Sequence, residues 1–297
     1  MMSPDYYIFT GREGARRVPQ HVTHVLIAKA LNFVRARAFQ NHPNIQEVIC
    51  HDGVEKIERE AFWQCPSLRR VIMPGVKVIE QMAFEHCNVL SYIECGKLER
   101  IENWAFKCTS LSSIDLPSIK IVEGSAFSKC TNLTNVEFGK YLESIRDRAF
   151  PGCRSLQRIT IPLKDGIITS DCIFWGCNKL ESVDLVGGVH ETIAALLLEE
   201  WKNEMNEEVD AINRILPSTP AGSVFEPGGK AQAIQAWIRS VLRSYTHYKS
   251  EHCRYVNEAA AILQSALPDD ILFKSVLPFV DLPTGTFDGE VRTGRGE

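Results

Sequence analysis

Ten cysteines and eight histidines are the residues of this 297-residue chain best suited to reactive chemistry. Thiolates and imidazoles can bind zinc, close disulfides, or act as nucleophile and base. Each of these chemistries demands a spacing. Zinc ligands come in pairs with about two to four residues between them. Here Cys65, Cys87, Cys108, Cys130, Cys153 and Cys177 stand 22, 21, 22, 23 and 24 residues apart. His86-Cys87 and His252-Cys253 are neighbours in sequence. Adjacency does not aim a base at a nucleophile in space. Gly187-Gly188 and Gly228-Gly229 lack the spacing and the following Lys-Ser/Thr of a phosphate loop. The chain is therefore read as a non-enzyme, with no catalytic residue, no metal and no cofactor.

An even spacing of cysteines belongs to a repeat, and the rest of the sequence carries the same period. An apolar-Phe pair recurs at Ala38-Phe39, Ala61-Phe62, Ala83-Phe84, Ala105-Phe106, Ala126-Phe127, Ala149-Phe150 and Ile173-Phe174. Successive Phe positions differ by 23, 22, 22, 21, 23 and 24. After each Cys comes an apolar triplet such as Leu68-Val71-Met73, Leu111-Ile114-Leu116 or Leu156-Ile159-Ile161. Earlier copies are Ile45-Val48-Cys50 and a degenerate Val22-Val25-Ile27, which makes eight expected strands. A unit this short cannot bury its own apolar face, so neighbouring units must stack. Phe should fill the interior of each coil, and Ala beside it should allow a tight turn. The six spaced cysteines should form a buried column at one turn position. Cys50 and Cys95 replace strand core residues, and only Cys172 and Cys253 fall outside these roles.

The unit C-x2-L-x2-I-x-L-P-x2-V-x2-I-x3-A-F resembles the BspA-type leucine-rich repeat over about residues 20–188. The resemblance implies a right-handed α/β repeat solenoid of parallel strands. It also implies a protein-binding scaffold rather than an enzyme, with no shared catalytic residues.

Two-residue alternation then separates the two faces of each strand. Outward positions form two columns. One reads Leu26, Ile49, Ile72, Glu94, Asp115, Glu137, Thr160 and Asp184. The other includes His24, Glu47, Arg70 and Tyr92. In a leucine-rich-repeat horseshoe these columns would line the concave face. Exposed apolar groups mark interaction sites, and acidic groups steer a basic partner. The expected partner-binding residues are Ile49, Ile72, Tyr92, Glu94, Asp115 and Glu137. An alternative is that the segment Tyr6–Phe9 covers the apolar end.

The pattern changes near residue 188. Apolar residues at helical spacing, among them Met205, Val209, Ile212 and Leu216, predict a capping helix over residues 189–216. A breaker-rich linker at 217–229 precedes a helical region at 230–283, with its own stripe through Ile234, Trp237, Ile238 and Val241. Residues 1–20 are read as an N-terminal segment, 21–188 as the repeat domain and 284–297 as a disordered tail. Residues 267–280 resemble the opening of an F-box, which offers a second reading as a substrate adaptor of a ubiquitin ligase.

A formal net charge of −4 argues against nucleic acid as a partner. The longest apolar run, at residues 193–198, is too short for a membrane span. No basic stretch leads into an apolar run at the N-terminus, so a cytoplasmic protein with reduced thiols is expected. Its partner should be another protein with a basic surface.

Overall fold

The computed structural model describes residues 6–11, 18–186, 199–222 and 229–266. The repeat forms a solenoid with two strand columns. The first holds β1 (Tyr6–Phe9), β2 (His24–Ile27), β4 (Glu47–Ile49), β6 (Arg70–Ile72), β8 (Tyr92–Glu94), β10 (Ser113–Leu116), β12 (Asn135–Phe138), β14 (Arg158–Ile161) and β15 (Ser182–Leu185). The second holds short strands: β3 (Phe33–Val34), β5 (Lys56–Ile57), β7 (Val78–Ile79), β9 (Arg100–Ile101), β11 (Ile121–Val122) and β13 (Ser144–Ile145). Neighbours pair in parallel, as successive turns of one coil must. The eight strands expected from the apolar triplets are all present. The two-residue strands are an addition that periodicity alone did not reveal.

The Phe rings form the axis of the core. Phe39, Phe62, Phe84, Phe106, Phe127, Phe150 and Phe174 are buried. Their ring centroids are 4.9–6.0 Å apart and nearly parallel. Phe9 extends the stack at 4.7 Å from Phe39. The flanking turn has an unusual backbone. Residues before each Ala (Arg37, Glu60, Met82, Trp104, Ser125, Arg148) are left-handed, with φ between 52° and 60°. So are Asn41, Gln64, His86, Cys108 and Lys129, two residues after each Phe. Left-handed non-glycine residues each cost about 1–2 kcal/mol. The cost is offset by direction: N–H groups turn along the solenoid axis. Glu60, Phe62 and Gln64 donate to the carbonyls of Gln81, Ala83 and Glu85 at 3.1, 2.8 and 2.9 Å.

Three residues after each Phe sits the column expected to hold cysteines. Cys65, Cys87, Cys130, Cys153 and Cys177 are buried there. Each thiol donates to a Phe carbonyl of an earlier coil at 3.0–3.1 Å. Cys108 does not belong to this column. It lies two residues after Phe106, at the left-handed position, and is only half-buried. Thr109 takes the buried place and donates to the Phe106 carbonyl at 2.9 Å. At the N-terminal end His42 holds the same position.

The same coil carries a larger irregularity. Between column residue and strand, other coils have two intervening residues, as in Cys87 to Leu90. Thr109 to Leu111 has one. In this same coil β10 makes no ladder with β8. The first column accordingly divides into two sheets, β1-β2-β4-β6-β8 and β10-β12-β14-β15, while β9 and β11 on the other side stay paired. The Cys95 thiol, 3.9 Å from the Asp115 carbonyl, reaches across the opening.

Two helices follow, α1 (Glu199–Ile215) and α2 (Lys230–Ala266). They occupy the last edge of the solenoid. Asn213 Oδ1 accepts the β15 edge N–H of Val183 at 2.8 Å. The buried Lys230 ammonium donates to the carbonyls of Leu180 and Leu216, tying the last coil to the end of α1. Trp237 Nε1 donates to the Glu208 carbonyl at 3.0 Å and holds the two helices together. Residues 267–280 and 284–297 lie outside the described residues.

Candidate functional site

Alternation along the strands places Ile49, Ile72, Glu94, Asp115 and Glu137 on the outward face of the first column. The register puts Leu26, Ile49, Ile72 and Glu94 side by side, and Asp115 opposite Glu137. Ile49 and Ile72 are half-buried, whereas Glu94, Asp115 and Glu137 are exposed. The opening between β8 and β10 separates Glu94 from Asp115, so the six candidate residues belong to two sheets.

The Tyr6–Phe9 segment does not cover the apolar end. It adds β1 to the edge of the sheet, with Ile8 in register with Leu26. Ile8 is 59% exposed and lengthens the apolar column to Ile8, Leu26, Ile49 and Ile72. A parallel strand at an edge satisfies half its backbone groups on β2, which a strand laid across the face would not do.

The second outward column is a chain of contacts. The Tyr6 ring meets His24 edge-on at 5.3 Å, and its hydroxyl donates to Glu47 at 3.4 Å. Glu47 pairs with Arg70 at 3.4 Å, and the Arg70 guanidinium lies over the Tyr92 ring. Tyr92 is 47% exposed at the lip of the opening.

Charge on this face is uneven. Glu94, Asp115 and Glu137 have no ion pair and no side-chain hydrogen bond among the described residues. Several carboxylates elsewhere in the repeat are engaged. Glu58, Glu80 and Glu102 accept backbone N–H groups of Ala36, Arg59 and Gln81 in the preceding coil. Glu123 pairs with Arg100 and Arg146. This glutamate column is legible in the sequence as Glu three residues before Ala61, Ala83, Ala105 and Ala126, with Arg35 and Arg146 at the same offset before Ala38 and Ala149. Its role is to hold coils together.

The buried thiols are poor nucleophiles. Burial pushes Cys50 and Cys95 up to about 12, and Asp115 and Glu94 add to the effect on Cys95. Burial likewise raises Cys87, Cys130 and Cys153 well above the ordinary thiol. Among the described residues no group of three or more His, Cys, Asp or Glu could hold a metal ion. No described helix is long and apolar enough to cross a membrane.

The model of the BspA-type leucine-rich repeat region matches residues 32–119 and 99–199, in six copies. The chain belongs to that family. The leucine-rich repeats of the family point to a scaffold for protein interaction. Among solved structures, the chain is similar to a leucine-rich repeat protein from Bacteroides ovatus at 20% identity, over 57% of this chain and 48% of that one, with a TM-score of 0.46. It is similar to a leucine-rich repeat protein of T. pallidum at 29% identity, over 47% and 68% of the two chains, with a TM-score of 0.43. A leucine-rich cell surface protein from Faecalibacterium prausnitzii matches at 21% identity, over 55% and 60%, with a TM-score of 0.29. The chain thus spans about half the length of the B. ovatus protein. No curated protein matches the sequence.

Proposed function

We propose that this chain is a non-enzymatic protein-binding scaffold whose leucine-rich-repeat sheet face receives a partner with a basic surface. One observation carries the reading: an apolar column and an unpaired acidic row share the outward face of one strand column. Like charges directly opposite on a sheet are destabilising, and Asp115 faces Glu137 with neither in an ion pair among the described residues. Folding alone gives no reason for that row. A cationic partner does, because it would neutralise the row and be steered toward it. Ile49, Ile72 and Tyr92 would then supply the apolar contact, with Tyr92 as an aromatic anchor.

The test is affinity capture with the immobilised chain, run beside Tyr92→Ala and Asp115→Lys. The reading predicts partners that are lost or weakened with both variants, with salt sensitivity for the Asp115 effect. Partners retained equally by both variants, but lost with Trp237→Ala in a folded chain, would move the binding surface to the helices.

A further inference from the structure

The opening between β8 and β10 exposes something the other coils conceal. Strand core positions Val25, Val48, Val71, Ile114, Val136, Ile159 and Val183 are buried, at 0–5% exposure. Ile93, the matching residue of β8, is only half-buried. A core side chain is left partly open to solvent on β8, at the break where neither β8 nor β10 has its neighbour. Around it lie Tyr92, exposed at the lip, Glu94 on the same strand and Asp115 on the opposite one. The apolar column and the acidic row meet at this point.

The same coil carries the shortened connection. The missing residue between Thr109 and Leu111 is bridged by side chains: Thr109 bonds the Phe106 carbonyl, and Ser110 Oγ donates to the Asn88 carbonyl at 2.5 Å. These bonds hold the turn closed while the strands stay apart. The Phe stack continues through the same coil, with Phe84 and Phe106 at 5.5 Å and Phe106 and Phe127 at 5.3 Å. The opening is thus confined to the outward face.

We propose that the opening between β8 and β10 receives an apolar side chain from a lysine- or arginine-rich extended segment of a partner protein. The proposal deepens the reading of this face as a partner site and rests on it. The apolar side chain would cover Ile93 beside the Tyr92 ring. Flanking cations would meet Glu94 and Asp115, with Glu137 one strand further on. Charge decides the occupant: two carboxylates without ion pairs flank the apolar opening, with a third one strand further on, and they reject an acidic segment and favour a basic one.

Amide hydrogen exchange on the full chain tests this, alone and with the synthetic peptide Lys-Leu-Lys-Val-Lys-Leu-Lys. In the free chain, amides of residues 92–95 and 112–115 should exchange about tenfold or more faster than those of 70–73 and 135–138. The peptide should slow exchange in the first two segments. Asp115→Lys should weaken the peptide about tenfold, and a peptide with Glu for Lys should not bind. Full protection in the free chain would mean that its own residues fill the opening, and protection that grows with protein concentration would mean a second copy does. Either result overturns the proposal. Protection limited to residues 47–49 and 70–72 would also overturn it while leaving the face as a partner site. If the peptide fails to bind but captured partners still depend on Tyr92, the occupant is wrong and the face stands.

Discussion

The Arg70 guanidinium lies 5.0 Å from the centroid of the Tyr92 ring, so the last paired strand before the opening is pinned to its neighbour from the outward side. Glu47 holds Arg70 from the other side at 3.4 Å. Tyr92 is therefore exposed and yet oriented, the state that lets an aromatic side chain bind without a large ordering cost. Tyr92→Ala should lower stability by less than about 1 kcal/mol, the scale of an exposed cation–π contact. It should weaken a captured partner by about 2 kcal/mol or more if Tyr92 anchors the interface. Urea melts and a titration of the same two proteins separate the effects. A stability loss as large as the affinity loss would make Tyr92 a folding residue.

The Phe stack sets the stability of the middle coils. Phe84 lies between Phe62 and Phe106, at 5.2 and 5.5 Å, and is fully buried. Phe84→Ala removes a ring from a column that the stacked backbone cannot collapse to fill. The expected cost is about 3–5 kcal/mol. A thermal melt unchanged by the substitution would contradict the stack.

Cysteine reactivity should follow the corrected column. Cys65, Cys87, Cys130, Cys153 and Cys177 are buried and donate to carbonyls, whereas Cys108 and Cys172 are half-buried. A thiol reagent should label Cys108 and Cys172 in the native protein before the five column thiols, which should react only on unfolding. Peptide mapping of the modified sites reads the order directly. Early labelling of Cys130 would show that the column breathes.

Much of this arrangement was legible in the residues, and the exceptions have a common cause. Phe84 and its counterparts recur at nearly constant intervals, so the buried stack and the solenoid followed from period alone. Outward positions followed from alternation. Cys108 was misread because residue type was matched before offset. It lies two residues after its Phe instead of three, and the offset decides which way the side chain points. The coil with the missing residue is also the one where β10 leaves the ladder of β8, and that break is not written in any one residue of the repeat. Ile93 has the sequence of a core position. It is half-buried where β8 lacks a following strand, so its exposure turns on how the next coil is placed and not on its own residue type.

His42 should make the fold sensitive to acid. It fills the column position of the first coil, buried, with Nε2 3.0 Å from the Pro19 carbonyl and Nδ1 facing the N–H groups of Asn44 and Ile45. Burial holds its pKa below the ordinary histidine value. Above about pH 6.5 the ring is neutral both folded and unfolded, and its contribution is complete. As pH falls below that value the unfolded chain takes up a proton that the folded chain resists, so stability declines toward the lowered folded pKa. The slope from this one group cannot exceed about 1.4 kcal/mol per pH unit. His42→Cys, which copies the residue found at Cys65 and Cys87, should flatten the decline below about pH 6.5. Denaturant midpoints at several pH values would show it, and equal slopes in both proteins would assign the acid sensitivity elsewhere.

Restoring the missing residue tests the link between the irregular coil and the binding face. One serine inserted between Ser110 and Leu111 would give this coil the two-residue spacing that separates Cys87 from Leu90. β10 should then move into register with β8, as β12 is with β10. The newly made backbone bonds each contribute about 0.5–1.5 kcal/mol, and Ile93 should become as buried as Val71. The inserted chain should therefore be more stable than the natural one, with amides of residues 92–95 and 112–115 newly protected from exchange. It should also bind a basic partner less well, because the apolar opening has closed while Glu94, Asp115 and Glu137 remain. A gain in stability with unchanged binding would show that the acidic row works without the opening. A loss of stability would show that the short connection suits this coil, and that the separation of the two sheets has a cause other than the missing residue.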